Sequence, residues 1–184
     1  MKKIISFAKI YLFLFSFVLS SATNAQSLSS ADIKAQMVKE WERSKAYTID
    51  YLNTMPAGKY SFKAVDSIRS FSQQMLHLAQ ANLFLMSMAS DLTPPSFGSD
   101  REESPSAQTK DSVMYYVIAS YDLTIRGLKK MNMATLNEKL KFYNWEETKY
   151  ALLLKGFEHQ THHRGQTTIY IRLAGLHPPQ ERLF

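Results

Sequence analysis

An all-α four-helix bundle is the fold class this 184-residue sequence predicts. Two stretches place core-type residues at alternating three- and four-residue intervals, the mark of a helix face packed in a bundle seam. One runs Ile68, Phe71, Met75, Leu78, Asn82, Leu85, Ala89. The other runs Leu152, Gly156, His159, His163, Gln166, Tyr170, Leu173 and is polar at its centre. No segment alternates apolar and polar as a half-buried strand would, and no internal repeat is visible.

The first residues are read as a leader outside the fold. Lys2 and Lys3 give a positive start, Ile10 to Leu19 is apolar apart from Ser16, and Ser20-Ser21-Ala22-Thr23-Asn24-Ala25 offers small residues for cleavage after Ala25. That order predicts a secretory signal peptide over 1–25 and an exported chain, periplasmic or secreted. The apolar run is short for a span of about 20 residues, so no stable membrane anchor is expected after cleavage. No cysteine lies there to carry a lipid.

Residues 26–184 make one domain, long enough to bury a real core. Lys2, Lys3 and Lys9 leave with the leader and no acid does, so the formal charge falls from +6 to +3. That modest balance argues against a nucleic-acid partner. With no cysteine, neither disulfides nor thiolate ligands are available. Any transition-metal site must be built from His, Asp, Glu and water.

The first helix is predicted from Ser29 or Ser30, a serine cap, with Ile33, Met37, Trp41, Ile49 and Leu52 inward; Pro56-Ala57-Gly58 ends it. Met55 to Asp66 is a linker holding Tyr60, Phe62 and Lys63. Ser67 caps the second helix, which Thr93-Pro94-Pro95 stops; its end, Leu83 to Met86, is apolar nearly all round and so buried on more than one side. Ser96 to Gln108, rich in Ser, Pro and acids, reads as a solvated surface loop, with a lid over a site as the alternative. Thr109 or Asp111 opens a third helix to Lys130, with Val113, Tyr116 or Val117, Tyr121 or Ser120, Thr124 and Leu128 inward. Met131 to Asn144 is ambiguous, with a short helical turn over Thr135 to Phe142. Glu146 and Glu147 suit the positive end of a fourth helix, which runs to Ala174 before Gly175 and Pro178-Pro179. Gly156 provides close backbone approach one turn before His159.

His159 and His163 are four residues apart, about 40° from each other on one helix face. Two imidazoles at that spacing can hold one transition metal, or can be core histidines bonded to Tyr, Gln or backbone groups. His162 competes as a ligand, but its less apolar side favours His163. A third ligand must come from elsewhere, and only His77 and His177 remain of the five histidines. His177 lies in a tail beyond the helix stop. His77 is mid-helix, at the depth of the pair, beside its seam, with Gln73, Gln74, Gln80 and Ala81 as one-turn neighbours. Three imidazoles with open positions are the layout of a catalytic metal rather than a closed structural one. Zn, Ni and Fe(II) all suit it. Gln166 and Tyr170, one and two turns beyond His163, are candidate pocket residues. Arg164 faces another side and supports Glu or backbone groups. Glu158 and Asp122 are acids without an evident tie to the site.

These strings resemble the DinB-like (damage-inducible) family of metal-binding four-helix-bundle proteins. Met75-Leu76-His77-Leu78-Ala79-Gln80-Ala81-Asn82 is similar to its second-helix motif, and His159-x-x-x-His163-Arg164-Gly165-Gln166 to its fourth-helix motif. Pro56 to Lys63 is similar to its first linker, and Tyr170 to Gly175 with Pro178-Pro179 to its ending. The resemblance implies an up-down-down-up (DinB/YfiT-like) bundle, often a homodimer, with a divalent metal on His77, His159 and His163. The family's best-known relatives are thiol-dependent transferases and isomerases, so the expectation is a metal-dependent hydrolase, using metal-bound water, or a thiol-dependent transferase, acting on a small molecule whose identity the sequence does not reveal. The alternative is a non-enzymatic metal-binding or interaction bundle of the cell envelope. An export signal departs from the thiol-dependent relatives, whose thiol cofactors belong mainly to the cytoplasm.

Overall fold

The computed structural model describes residues 27–90, 92–93 and 101–184. The predicted leader, with cleavage after Ala25, and Pro94-Pro95 lie outside the described residues. Four long helices form the domain: α1 (Ser30–Thr54), α2 (Phe71–Ser90), α3 (Lys110–Lys130) and α4 (Lys149–Leu173). Among the described residues no helix is long and apolar enough to cross a membrane.

Hydrogen bonds give the directions. Ser44 and Thr48 of α1 meet Arg164 of α4, and Tyr51 meets Thr168, so these two helices run parallel. Lys45 meets Asp122, and Lys110 reaches Met55, so α1 and α3 are antiparallel. Asn82 meets Ser120 while Ser72 meets Gln108, so α2 and α3 are parallel. Gln74 meets His163, and Leu85 lies against Gly156, so α2 and α4 are antiparallel. The arrangement is up-down-down-up, with α2 and α4 sharing the most extensive contact.

The caps explain the boundaries. Ser29 and Asp32 form a reciprocal capping box at the start of α1, satisfying amides that have no partner within the helix. The second helix starts at Phe71, later than the expected Ser67 cap. Ser70 caps it instead: its Oγ accepts from the Gln73 amide and Gln73 Oε1 accepts from its own amide. The linker folds back so that carbonyls of Phe62 and Tyr60 take the Phe71 and Ser72 amides. Thr109 and Thr148 cap α3 and α4.

Between α3 and α4 the structure corrects the sequence reading. Lys139–Phe142 (β1) and Trp145–Thr148 (β2) form an antiparallel hairpin, not a helical turn, and Glu146 and Glu147 lie in β2 rather than opening α4. A two-residue turn joins the strands, with Tyr143 in the left-handed region at φ 50°. Gly156 is also not a point of close approach, since an added Cβ would sit 3.7 Å from Leu85 in ordinary contact. Gly175 does end α4, at φ 77°, where the Leu176 amide reaches back to the Ile171 carbonyl. Glycine takes that left-handed conformation without penalty.

The core holds Trp41, Leu52, Phe71, Met75, Leu78, Val113, Val117, Tyr121, Leu128 and Ile171. Ile33, Met37 and Ile49 are only partly buried; Ser44, Thr48 and Tyr51 fill α1's inner face instead. They belong to a buried polar ladder. Tyr121 donates to Gln160 Oε1 at 2.8 Å, Arg164 Nη1 donates to the same oxygen at 2.8 Å, and Thr48 and Tyr121 hydroxyls lie 2.8 Å apart. Arg164 therefore supports backbone and polar side chains of the core, with no acid among its hydrogen-bond partners in the described residues, and packs over the Tyr47 ring.

Candidate metal centre

The antiparallel pairing of α2 and α4 sets His77 opposite His159 and His163. The ring centroids lie 5.1 Å (His77–His159), 4.6 Å (His77–His163) and 4.3 Å (His159–His163) apart. One ring nitrogen from each histidine lies within 4.8 Å of the other two, a spacing that could hold one metal ion. His163 is buried and His162, on the next face, is exposed. His177 is exposed in the tail beyond α4.

Two of the three rings are oriented by partners on their Nδ1 atoms. His163 Nδ1 donates to Gln74 Oε1 at 2.8 Å, and His77 Nδ1 donates to Glu102 Oε1 at 2.6 Å. Amide and carboxylate oxygens only accept, so both rings carry the Nδ1 proton and keep an Nε2 lone pair free. His159 Nδ1 is buried and has no hydrogen-bond partner among the described residues. A buried ring nitrogen without a partner is costly, and a cation held by the cluster would relieve that cost. The donor set fits a divalent transition metal.

Electrostatics points the same way. Burial, and then the neighbouring histidines and Arg69, lower the pKa of His159 to about 4 and of His163 to about 3. Both are neutral at pH 7, the state in which imidazole ligates.

The bonding continues outward. Gln74 Nε2 donates to Gln166 Oε1 at 2.6 Å, and Gln166 Nε2 donates to His162 Nε2 at 2.8 Å. Gln166 thus lines an open cavity of about 570 Å³ with Gln74, His162, His163, Arg69 and Glu102. Tyr170 instead is buried and donates its hydroxyl to the Arg69 carbonyl at 2.7 Å. Asp122 pairs with Lys45, and Glu158 is exposed. Sequence reasoning assigned no role to Gln74, which was visible only as a neighbour of His77 one turn away. It missed Glu102 altogether, because nothing in a loop rich in Ser, Pro and acids marks one acid over the next.

A family model, described as the DinB family, matches residues 23–182. The chain belongs to the DinB family. Solved DinB-like proteins share its fold. One from Bacillus cereus ATCC 10987 is 17% identical with a TM-score of 0.67, covering 79% of this chain and 95% of its own. Another, YjoA from Bacillus subtilis, is 17% identical with a TM-score of 0.62, covering 81% of this chain and 96% of its own. No curated protein matches the chain. DinB membership accounts for the bundle; the site rests on this chain's own geometry.

Proposed function

We propose that this DinB-family chain is an exported protein that holds a divalent transition metal, Zn, Ni or Fe(II), on His77, His159 and His163. We assign it to hydrolysis or thiol-dependent transfer on a small-molecule substrate. The observation that carries the metal reading is the unpartnered, buried Nδ1 of His159 beside two imidazoles whose own Nδ1 atoms are occupied. When bound, such a metal supplies Lewis acidity, lowering the pKa of a water or thiol that reaches it.

The chain's own residues do the rest. Gln74 and Glu102 hold two rings in the tautomer that leaves Nε2 free. Gln166 locks Gln74 and lines the cavity. The cavity beside His163 leaves room for a reactant, which supports an enzyme over a non-enzymatic metal-binding bundle. Export rests on the leader's charge, apolar run and small residues. The homodimer is a family expectation that sedimentation of the purified chain would decide.

Elemental analysis of protein purified without a polyhistidine tag tests the metal. About one transition metal per chain, lost in His77→Ala, is expected for three convergent imidazoles. A wild-type chain that stays metal-free after supply of Zn, Ni and Fe(II) would overturn the reading. Export predicts that the mature N-terminus, read from fractionated cells, is Gln26.

A further inference from the structure

Glu102 stands out among the acids of its segment. Its side chain is only 16% exposed, although it lies in a loop whose composition predicts solvation. Both carboxylate oxygens are committed: Oε1 accepts from His77 Nδ1 at 2.6 Å and Oε2 from Arg69 Nε at 2.8 Å. The main chain is held too. Gln108 Nε2 donates to the Glu102 carbonyl at 2.6 Å, and the Arg101 guanidinium lies 4.3 Å from the Tyr116 ring centroid on α3. Arg69 is tied in turn to α4, because its carbonyl accepts the Tyr170 hydroxyl. An exposed loop acid that merely neutralised Arg69 would need none of this.

We propose that Glu102 is a positioning residue for His77, so that the segment 101–109 forms one wall of the site. The inference rests on the metal reading above and adds the residue that makes His77 a ligand. An imidazole nitrogen that carries a proton cannot bind a cation, so the location of His77's single proton decides whether its inward nitrogen is usable. A carboxylate at Nδ1 claims that proton and leaves Nε2 bare. It also pushes electron density into the ring, strengthening the donor.

His77 leans on an anionic acceptor and His163 on the neutral amide of Gln74. His77 stands alone on its helix, whereas His159 and His163 are pre-arranged by α4. The lone ligand has the loop carboxylate.

Two measurements on the full chain test this, comparing wild type with Glu102→Ala and Glu102→Gln. The first is the His77 tautomer in 15N-histidine-labelled, metal-free protein, read from long-range proton–nitrogen correlations. Wild type is expected to show a protonated Nδ1 and bare Nε2. Glu102→Ala should move the proton toward Nε2, and Glu102→Gln, which keeps an acceptor oxygen, should largely retain the wild-type pattern. The second is zinc affinity by chelator competition. Glu102→Ala is expected to weaken it by about 10–100-fold, and Glu102→Gln by less.

Zinc bound equally well by wild type and Glu102→Ala, with an unmoved tautomer, overturns the inference and leaves the metal reading intact. No zinc on wild type overturns the metal reading. In that event the tautomer still decides the inference: an unchanged proton in Glu102→Ala sinks it, and a shifted one upholds Glu102's hold on His77.

Discussion

The side-chain oxygen of Gln74, on α2, lies 2.8 Å from Nδ1 of His163, on α4, and the amide nitrogen of the same Gln74 lies 2.6 Å from Gln166 Oε1. One residue thus orients a ring and is itself held by the next turn of the helix that carries the ring. Gln74→Leu should keep the packing of a buried side chain and lose the acceptor. Zinc affinity, measured by chelator competition, is expected to fall about tenfold, with helicity by circular dichroism unchanged.

The choice between adjacent histidines can be put to a direct contest. His163 is buried in the cluster and His162 is exposed. His163→Ala should abolish stoichiometric metal while His162→Ala retains it, both with near-native helicity. Metal kept by His163→Ala and lost by His162→Ala would reverse the assignment.

Acid should destabilise the metal-free fold through the same rings. His159 and His163 titrate near 4 and 3 in the folded chain, depressed first by burial and then by neighbouring imidazoles, against an ordinary value of 6.5. Between those values the unfolded chain binds more protons than the folded one, so stability rises with pH across that window. The contribution is fully present above 6.5 and is lost as pH falls toward 4 and 3. Thermal melts of the metal-free chain at about pH 7.5 and about pH 5 should show a lower midpoint in acid. The double variant His159→Ala/His163→Ala should show a smaller drop.

Two glycines, one inside α4 and one just beyond its end, should respond in opposite directions. Gly165 is exposed on α4 with nothing within 4 Å of an added Cβ. Gly165→Ala should stabilise by about 0.5–1 kcal/mol, because glycine costs a helix backbone entropy. Gly175 holds φ 77° beyond the last turn, so Gly175→Ala should destabilise by about 1 kcal/mol. Each kcal/mol is about 2–4 °C in melting midpoint for a chain of this size. A destabilised Gly165→Ala would show that this face is covered in solution.

The bundle was legible wherever periodicity had length to work with. The seams of α2 and α4 show as three-four spacing, and the histidine pair falls on the α4 seam because a metal-type spacing and a packing spacing coincide. The α1 inner face was harder, since Ser44, Thr48 and Tyr51 are buried through hydrogen bonds that no hydropathy pattern announces. The hairpin at 139–148 was lost because Glu146 and Glu147 carry a helix-start signal that the two-residue turn overrides. Glu102 was invisible for a different reason. Its partner lies 25 residues back on another element, and tertiary contacts through Arg69 and Gln108 hold Glu102 where the two meet.

The parallel pairing of α1 with α4 joins residues such as Thr48 and Arg164, 116 positions apart, and Gln74 meets His163 across 89. Such distant contacts close late, and a chain emerging N-terminus first delivers α4 last. The histidine cluster therefore comes into being only when the final helix docks. Any metal the three rings take up would therefore enter only after that helix has docked, in whatever compartment the docking happens.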